Sequence, residues 1–406
     1  KCKIKGYRKD KMKVKELFIE ISGTMASISF TENRNITENF DIKLDGYQKG
    51  KIIDENLFFE SFRTPKLQRI LNSQNIDKLI FGISPNEIHS KTEKKSIFQL
   101  EGTKVIEEKD LIEDNSIYRN ESTLLHTLPL GFLLDNKDFL SNPVGMHARK
   151  LESIKLNISV NNNLINSIVK LCELLNISCP VNIISSSLAL SNEIIDKENK
   201  DFGCFHINIG KDLTELSMIQ KNKIFDLAVI PVGEDNFIKD IEITLDVAQK
   251  DAKILVENFG TVMPELIKEN EHLLFHTSKG QEEKISNKRI GAIMRERANE
   301  LLQISKKYFD EKSKGKISSN RIFISGTGAT YDGFDSLVKY VFQYFIYRNP
   351  EEKDIRKKSL IEFYYNENET FNDFNSKNNN SSLFNSKIIH SNNLIKSKIK
   401  KLLKIG

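Results

Sequence analysis

GCFHINIGKDLTELSMIQ, residues 203–220, is the stretch that decides the fold. Its apolar residues lie on both sides of a tight turn at residues 210–212, which predicts two strands joined as a hairpin. An earlier stretch, LFIEISGTMASISF at residues 17–30, repeats this design around Ser22, Gly23 and Thr24. Strands alternate with helices after each hairpin, so the chain is predicted to contain two copies of an α/β fold.

The predicted elements complete the two copies. The first has helices at residues 58–71, at 163–175 and from 187, and strands at 78–84, 153–159 and 180–184. The second has a strand at 223–230, helices at 241–258 and 288–308, a strand at 321–325 and a closing helix at 333–347. Residues 366–386 are rich in Asn, Ser and Phe, which is typical of a linker.

Composition excludes several classes of protein. The chain has 406 residues, enough for two to four subdomains with real cores. Its 61 basic and 56 acidic residues are too evenly balanced for a nucleic-acid binder, and the basic excess lies largely at the two ends. No apolar run reaches the roughly 18 residues of a spanning helix, and no signal peptide is recognisable. We expect a cytosolic protein.

No catalytic or metal-binding pattern stands out. The four cysteines show neither paired nor metal-ligand spacing, which favours a reducing compartment, and the seven histidines add no such spacing. We therefore expect no metal-ligating cluster and only locally satisfied histidines. Three serines at residues 185–187 precede a helical run and are predicted to cap it.

The C-terminal residues 388–406 have the pattern of an amphipathic helix. Basic residues fill one half of the helical wheel, and no acidic residue follows Asp373. The pattern predicts a helix that lies on a membrane. The alternative is a helix docked on the body of the protein. The residues expected at the membrane are Leu394, Ile395, Lys398, Ile399, Lys400, Lys401, Leu402 and Leu403.

The two hairpin turns and the later stretch Ile324-Ser325-Gly326-Thr327-Gly328-Ala329 together resemble a three-part nucleotide cradle. That cradle is shared by actin, the heat-shock chaperone ATPases and the sugar kinases. Small residues are needed there because phosphate oxygens must approach backbone N–H groups closely.

Within this superfamily the chain resembles FtsA, the actin-like bacterial division protein. The most specific matches are Leu125-His126-Thr127-Leu128-Pro129, Asn142-Pro143-Val144-Gly145-Met146, Leu151-Glu152 with Lys155-Leu156, and Val229-Ile230-Pro231-Val232-Gly233 with Asp240-Ile241. The resemblance implies an actin-like two-lobed fold of the ribonuclease-H-like α/β class. It adds an FtsA-type 1C insertion and a C-terminal amphipathic helix.

The implied domain order follows the family. A basic extension at residues 1–14 precedes the first lobe at 15–83 and 149–200, with 1C inserted at 84–148. The second lobe takes 201–240 and 318–365, with subdomain 2B at 241–317. A disordered linker at 366–387 leads to the membrane helix at 388–406. The family's last strand and small apolar helix are not recognisable, because residues 348–365 are charged.

The resemblance also implies ATP with Mg²⁺ as cofactors. The implied nucleotide-binding positions are Glu20, Ser22, Gly23, Thr24, Asn208, Gly210, Lys211, Gly233, Gly326, Thr327, Gly328 and Ala329. Two loops depart from the family. The first lacks its basic residue, and the second has Asn208 for an aspartate and Lys211-Asp212-Leu213 for Gly-Gly-Thr. Weak binding and at most very slow hydrolysis are therefore expected, with no catalytic residue assigned and restored magnesium affinity in Asn208→Asp.

By the same resemblance the protein would tether the FtsZ ring to the cytoplasmic face of the bacterial inner membrane, at the division septum. Its partners would be the FtsZ C-terminal tail, further copies of itself in a head-to-tail polymer, anionic lipid and later divisome proteins, but no nucleic acid. Arg295 and Arg297 are candidates for the tail site. Two alternatives stay open: a PilM-like pilus-assembly homologue, and a sugar-kinase-type phosphotransferase, which Asn208 disfavours.

Overall fold

The structure is a computed structural model. It describes residues 14–111, 122–268, 270–313, 319–348 and 355–377, and in the last helix the side chains as far as residue 366. The predicted N-terminal extension, apart from Val14, and the predicted membrane helix at residues 388–406 lie outside the described residues.

The first lobe is built in two parts around an insertion. Its first part contains β1 (Lys15–Ser22), β2 (Met25–Glu32), β3 (Asn35–Lys43), β4 (Tyr47–Gln48), β5 (Lys51–Ile52), α1 (Glu55–Ser61), α2 (Pro65–Ser73) and β6 (Lys78–Ile83). The insertion contains β7 (Ile88–Val105), β8 (Ser122–Leu134), β9 (Asp138–Leu140) and β10 (His147–Asn161). The lobe then resumes with α3 (Asn162–Leu174), β11 (Val181–Ser185), α4 (Ser186–Ile194) and α5 (Lys197–Phe202).

The second lobe follows directly. Its elements are β12 (Cys204–Ile209), β13 (Thr214–Gln220), β14 (Lys223–Ile230), α6 (Glu234–Leu245), α7 (Gln249–Phe259), β15 (His272–His276), β16 (Glu282–Ser286), α8 (Asn287–Ser313), β17 (Arg321–Ser325), α9 (Phe334–Phe342) and β18 (Phe345–Arg348). The last described helix is α10 (Ile355–Lys377).

The two lobes have the same sheet. The first sheet runs β11-β6-β1-β2-β3 and the second runs β18-β17-β12-β13-β14. In each, a hairpin and a third strand pair antiparallel, and two further strands join in parallel. This confirms the prediction of a duplicated α/β fold. Parallel strands need buried crossovers on both faces, which the intervening helices supply.

The insertion ends later than predicted. The strand expected at residues 153–159, assigned to the first lobe, is part of β10, which pairs with β7 and β8 in a separate sheet of order β7-β10-β8-β9. Alternation along a strand shows that one face is buried but not against which sheet, so the predicted boundary at residue 148 was wrong. A small core at Ile106, Leu134, Ala148 and Leu151 stabilises this sheet.

Two predicted helices are interrupted and a third ends early. The helix at 58–71 is two helices because Thr64 caps α2 and Pro65 begins it. The helix at 241–258 breaks at Asp246, which has a left-handed backbone with φ 49°. The helix at 333–347 ends at Gln343, again left-handed, and the chain then forms β18.

The last helix corrects two predictions. The sequence predicts no final helix in residues 348–365 and a linker from residue 366, but α10 extends from Ile355 to Lys377. Its residues Leu360 and Ile361 are buried in the core of the first lobe, and Tyr364 lies edge-on to Phe18 of β1. The chain therefore returns from the second lobe to the first. No helix among the described residues is long and apolar enough to span a bilayer.

Candidate functional site

The two hairpin turns face each other between the lobes. Gly23, with φ 57°, lets the first turn approach the second so closely that a Cβ there would lie 3.1 Å from Asp212 Oδ1. The Asp212 carboxylate also accepts a hydrogen bond from the backbone N–H of Lys49 at 2.7 Å. Lys211 Nζ donates to Thr24 Oγ1 at 3.4 Å. The cleft between the turns is therefore closed by direct contacts.

The third loop joins the same cleft from β17. Gly326 has φ 92°, and a Cβ there would lie 2.3 Å from the carbonyl oxygen of Ile209, so this loop packs on the end of β12. Thr327 Oγ1 donates to Glu234 Oε2 at 2.7 Å. A Cβ at Gly233, which precedes α6, would lie 2.6 Å from the carbonyl oxygen of Gly210. The structure thus brings all three predicted loops together, and their use for a nucleotide stays a prediction.

Glu215 of β13 connects the lobes through its side chain. It is buried, and its carboxylate accepts hydrogen bonds from Ser84 and from Ser187, the latter at 2.9 Å. Both serines belong to the first lobe, after β6 and in α4. From its own lobe Glu215 accepts a hydrogen bond from Asn208 Nδ2 at 2.8 Å. This carboxylate therefore fixes both sides of the cleft.

Arg356, from the first turn of α10, completes the pairing of Glu215. Its guanidinium meets both carboxylate oxygens, with Nη1 at 3.3 Å from Oε1 and Nη2 in contact with Oε2. The arginine side chain is 19% exposed and that of Glu215 is 3% exposed. Burial alone raises the pKa of Glu215, but the Arg356 guanidinium and the serine hydrogen bonds bring that pKa below its ordinary value.

Glu20 of β1 is the second carboxylate in the cleft. Its Oε2 accepts a hydrogen bond from Ser186 at 2.8 Å, and its Oε1 lies 3.8 Å from Arg356 Nη1. That Oε1 is buried without a hydrogen-bond partner among the described residues. Burial raises the pKa of Glu20 to about 8, although Arg356 and Ser186 favour the charged form. Glu20 is therefore mostly protonated at neutral pH.

A buried polar chain leads from the cleft into the second lobe. Asn208 Oδ1 accepts a hydrogen bond from Ser325 Oγ, which lies 2.8 Å from His206 Nε2. His206 Nδ1 lies 2.9 Å from Ser191 Oγ of α4. Burial lowers the pKa of His206 to about 4, so the ring is neutral and exchanges hydrogen bonds with the two hydroxyls. This histidine fits the expected local role.

The serines at the start of α4 also match their prediction, and they do more. Ser185 caps the helix through the backbone N–H of Leu188. The next two serines donate to the carboxylates of Glu20 and Glu215, as described above. The sequence indicated the cap but not these two contacts, because the carboxylates belong to distant strands.

The cleft does not fit ATP with Mg²⁺ at its phosphate end. Phosphate loops hold anions with backbone N–H groups and cations. Here the second turn presents the buried carboxylate of Asp212 to Gly23. Arg356, the buried cation beside this turn, is paired with Glu215. The third loop, at residues 326–329, keeps its small residues, but its glycines are required for packing on Ile209.

Arg356 is the residue at this site that the sequence did not reveal. The charged composition of residues 348–365 argues against a helix. The structure shows that Leu360 and Ile361 of α10 pack inward while Arg356 reaches the cleft. A signal was nevertheless present in the sequence. Leu360 and Ile361 are followed at helical spacing by Tyr364 and Tyr365, which places all four on one face of a helix.

The two candidate FtsZ-binding arginines lie on α8 and have intramolecular partners. Arg297 donates two hydrogen bonds to Asp240 of α6, from Nε at 2.7 Å and Nη2 at 2.9 Å. It also pairs with Glu300 one turn along α8. Arg295 pairs with Glu265. These contacts stabilise the packing of subdomain 2B.

Two family models match this chain. The model of the cell division protein FtsA matches residues 205–362, and that of the SHS2 domain inserted in FTSA matches residues 87–158. Together they cover more than half of the chain. The second match coincides with the four-stranded insertion. The chain belongs to the FtsA family.

Curated relatives place it as a divergent FtsA. The cell division protein FtsA of Borreliella burgdorferi is 20% identical over 307 residues, which is 74% of each chain. The Bacillus subtilis protein is 23% identical over 67% of this chain and 63% of its own length. The Enterococcus faecalis protein is 24% identical over 55% of this chain, and the match spans 50% of the relative.

Solved structures confirm the actin-like fold. The PilM-PilN type IV pilus biogenesis complex matches with a TM-score of 0.55 and 12% identity, covering 83% of this chain and 88% of the other. MreB5 of Spiroplasma citri bound to ADP matches with a TM-score of 0.54 and 11% identity, covering 88% and 98%. Identities this low show the fold alone, so the first match does not favour a pilus role.

Proposed function

We propose that this FtsA-family protein tethers FtsZ filaments to the cytoplasmic face of the bacterial membrane at the division septum and recruits later divisome proteins. The observation that carries the proposal is the SHS2 insertion of β7 to β10 within a duplicated actin-type fold. An actin-type fold alone serves many functions, whereas this insertion is the feature that the family model recognises. The cell division protein FtsA of several bacteria is its relative.

The proposed site for the FtsZ tail is subdomain 2B. Its surface presents the exposed cations Lys250, Lys288 and Arg289, at the starts of α7 and α8. Ile243 and Leu266 of the same subdomain are 67% and 61% exposed. Exposed cations beside exposed apolar side chains suit an acidic peptide with apolar anchors. This surface replaces Arg295 and Arg297, whose charges are already paired within the chain.

The proposed attachment to anionic lipid depends on residues 388–406. Their basic amphipathic pattern supports an interfacial helix, which binds by apolar insertion and charge attraction together. A head-to-tail polymer through the 1C insertion would present many such helices at once, which strengthens attachment by avidity.

The first experiment is binding of a synthetic FtsZ C-terminal peptide to the purified protein, followed by fluorescence anisotropy. Saturable binding that weakens with salt supports the proposal. A peptide with the same composition in scrambled order is the control. Equal binding of the two peptides, or none, would contradict it.

ATP and Mg²⁺ belong to the proposal only through family resemblance. MreB5 of Spiroplasma citri, a fold relative, was solved with ADP and with AMPPNP. In this chain the third loop retains its glycines, whereas the region between the two hairpin turns contains paired and buried charges. Nucleotide binding too weak to stabilise the protein at millimolar ADP, with at most very slow hydrolysis, is the most that this arrangement supports.

A further inference from the structure

We propose that Arg356 takes the place of nucleotide and metal in the interlobe cleft, so that the closed two-lobed form is held without a ligand. Its guanidinium pairs with Glu215 of the second lobe and lies 3.8 Å from Glu20 of the first. The inference concerns the cleft and is independent of the FtsZ-tail and membrane proposals.

The position of Arg356 supports this assignment. A Cβ at Gly210, in the second hairpin turn, would lie 3.8 Å from Arg356 Nη2 and 3.2 Å from the carbonyl oxygen of Leu213. The guanidinium therefore lies beside the turn that would otherwise meet a phosphate. Its neighbours are the carboxylates of Glu20, Asp212 and Glu215, the oxygen ligands that a divalent cation prefers. The guanidinium supplies the positive charge among these oxygens, with Glu215 as its directly paired carboxylate.

The contacts around Arg356 connect it to both lobes. It belongs to α10, whose Leu360 and Tyr364 are buried in the first-lobe core. Glu215, its partner, belongs to the second lobe and also accepts from Ser187 of α4. Moving the lobes apart would therefore break a buried bidentate ion pair and its supporting hydrogen bonds. In the relatives of this fold that were solved with ADP or AMPPNP, a nucleotide is bound.

The test measures thermal unfolding of the full chain without ligand, with Mg²⁺ alone, and with Mg²⁺ and ADP at millimolar concentration. The variants are Arg356→Ala, Glu215→Gln and the double variant, and Arg63→Gln is the control. Arg63, which follows α1, makes an exposed ion pair with Glu60 in the last turn of that helix. Calorimetry with Mg²⁺–ADP checks binding directly.

We expect no shift of Tm in the parent or in the control with either addition. Arg356→Ala should have a Tm several degrees lower, because the buried Glu215 carboxylate loses its counter-ion, and Mg²⁺ alone should restore part of the loss. The fall in Tm of the double variant should be smaller than the sum of the falls in the two single variants. These results would support the internal replacement.

Arg356→Lys covers the case in which the alanine variant does not fold. It keeps the charge and loses the bidentate geometry, so its Tm should fall while it still fails to respond to Mg²⁺. A parent protein that gains Tm with Mg²⁺–ADP would overturn the proposal. A Tm of Arg356→Ala equal to that of the control would also overturn it. So would ADP binding by the parent that Arg356→Ala weakens, since Arg356 would then be a nucleotide ligand.

Discussion

Glu20 and Gly82 are register partners on the parallel strands β1 and β6, and the glycine leaves the space that the carboxylate fills. A Cβ at residue 82 would lie 1.8 Å from Glu20 Oε2 and 2.9 Å from Ser186 Oγ. The absence of a side chain at Gly82 of β6 therefore leaves room in the cleft for the buried carboxyl group of Glu20 on β1.

Gly82→Ala is expected to lower the free energy of unfolding by about 1–3 kcal/mol, as overpacking of a tight core does. Urea denaturation measures the change. Gly102→Ala is the matched control, because nothing lies within 4 Å of a Cβ at that exposed position. In a Glu20→Ala background the same Gly82 substitution should cost less. An equal cost in both backgrounds would mean that the clash with Glu20 is not the cause.

Glu20→Gln should change how stability depends on pH. Because the folded-state pKa of Glu20 is about 8 and its ordinary value is 4.5, the folded protein holds a proton that the unfolded chain releases between these values. That contribution to stability is complete below pH 4.5 and is lost as pH rises towards 8, with a slope of up to about 1.4 kcal/mol per pH unit. Burial is what raises the pKa of Glu20; of the charged groups that face it, Arg356 lowers this pKa and Glu215 raises it, with the Tyr47 hydroxyl nearby.

A glutamine side chain cannot titrate, so the Glu20→Gln variant should gain stability relative to the parent at pH 8 and differ little at pH 4.5. Urea midpoints at several pH values between these limits provide the measurement. Parallel curves for the two proteins would show that Glu20 is charged throughout.

Asn208→Asp should destabilise the second hairpin, whereas the family resemblance predicts that it restores magnesium affinity. The amide donates to Glu215 and accepts from Ser325, both at 2.8 Å. An aspartate would lose the donor and place a like charge beside Glu215, so we expect the free energy of unfolding to fall by roughly 2–4 kcal/mol at pH 7. This loss should shrink as pH falls below the pKa of the introduced aspartate, which burial beside Glu215 raises. Asn136→Asp, exposed and bonded to Lys150, should change stability little. If Asn208→Asp lost no stability at pH 7 and gained stability with Mg²⁺, the substitution would instead have restored the family's metal site.

Much of the fold could be predicted because its signals are local. The hairpins at residues 17–30 and 203–220 have alternating strands and glycine turns, and their recurrence indicated the duplication. The insertion was recognised by its motifs. Its last strand was misassigned, since alternation in residues 153–159 fits either sheet.

The cleft was predictable only in part. The three loops carry small residues that sequence shows directly, whereas the ion pair of Arg356 with Glu215 joins residues 141 positions apart. Nothing local to either residue indicates the other. The charge that makes Arg356 important was also what concealed α10, because it interrupts the apolar pattern of the helix.

Charge reversal on α8 should distinguish structural from binding arginines. Arg297→Glu is expected to lower Tm, because it places a like charge against Asp240. Lys288→Glu with Arg289→Glu, both exposed, should leave Tm unchanged and weaken FtsZ-peptide binding several-fold at low salt, with less effect at high salt. Reversing Lys43 and Lys51 of the first lobe controls for net charge. If both pairs reduce affinity equally, the effect is general electrostatics and the α8 site is wrong.

The helix predicted at residues 388–406 should bind a bilayer by insertion of its apolar half. Burying residues such as Leu402 and Leu403 supplies roughly 0.8 kcal/mol per CH₂, reduced at shallow depth, and each lysine adds about 1 kcal/mol near anionic lipid. Leu402→Asp should therefore abolish pelleting with anionic vesicles. Ser397→Asp adds the same charge on the polar half of the wheel and should retain most of it. Truncation before Asn392 gives the baseline, and equal pelleting of all forms would show that another part of the chain is the anchor.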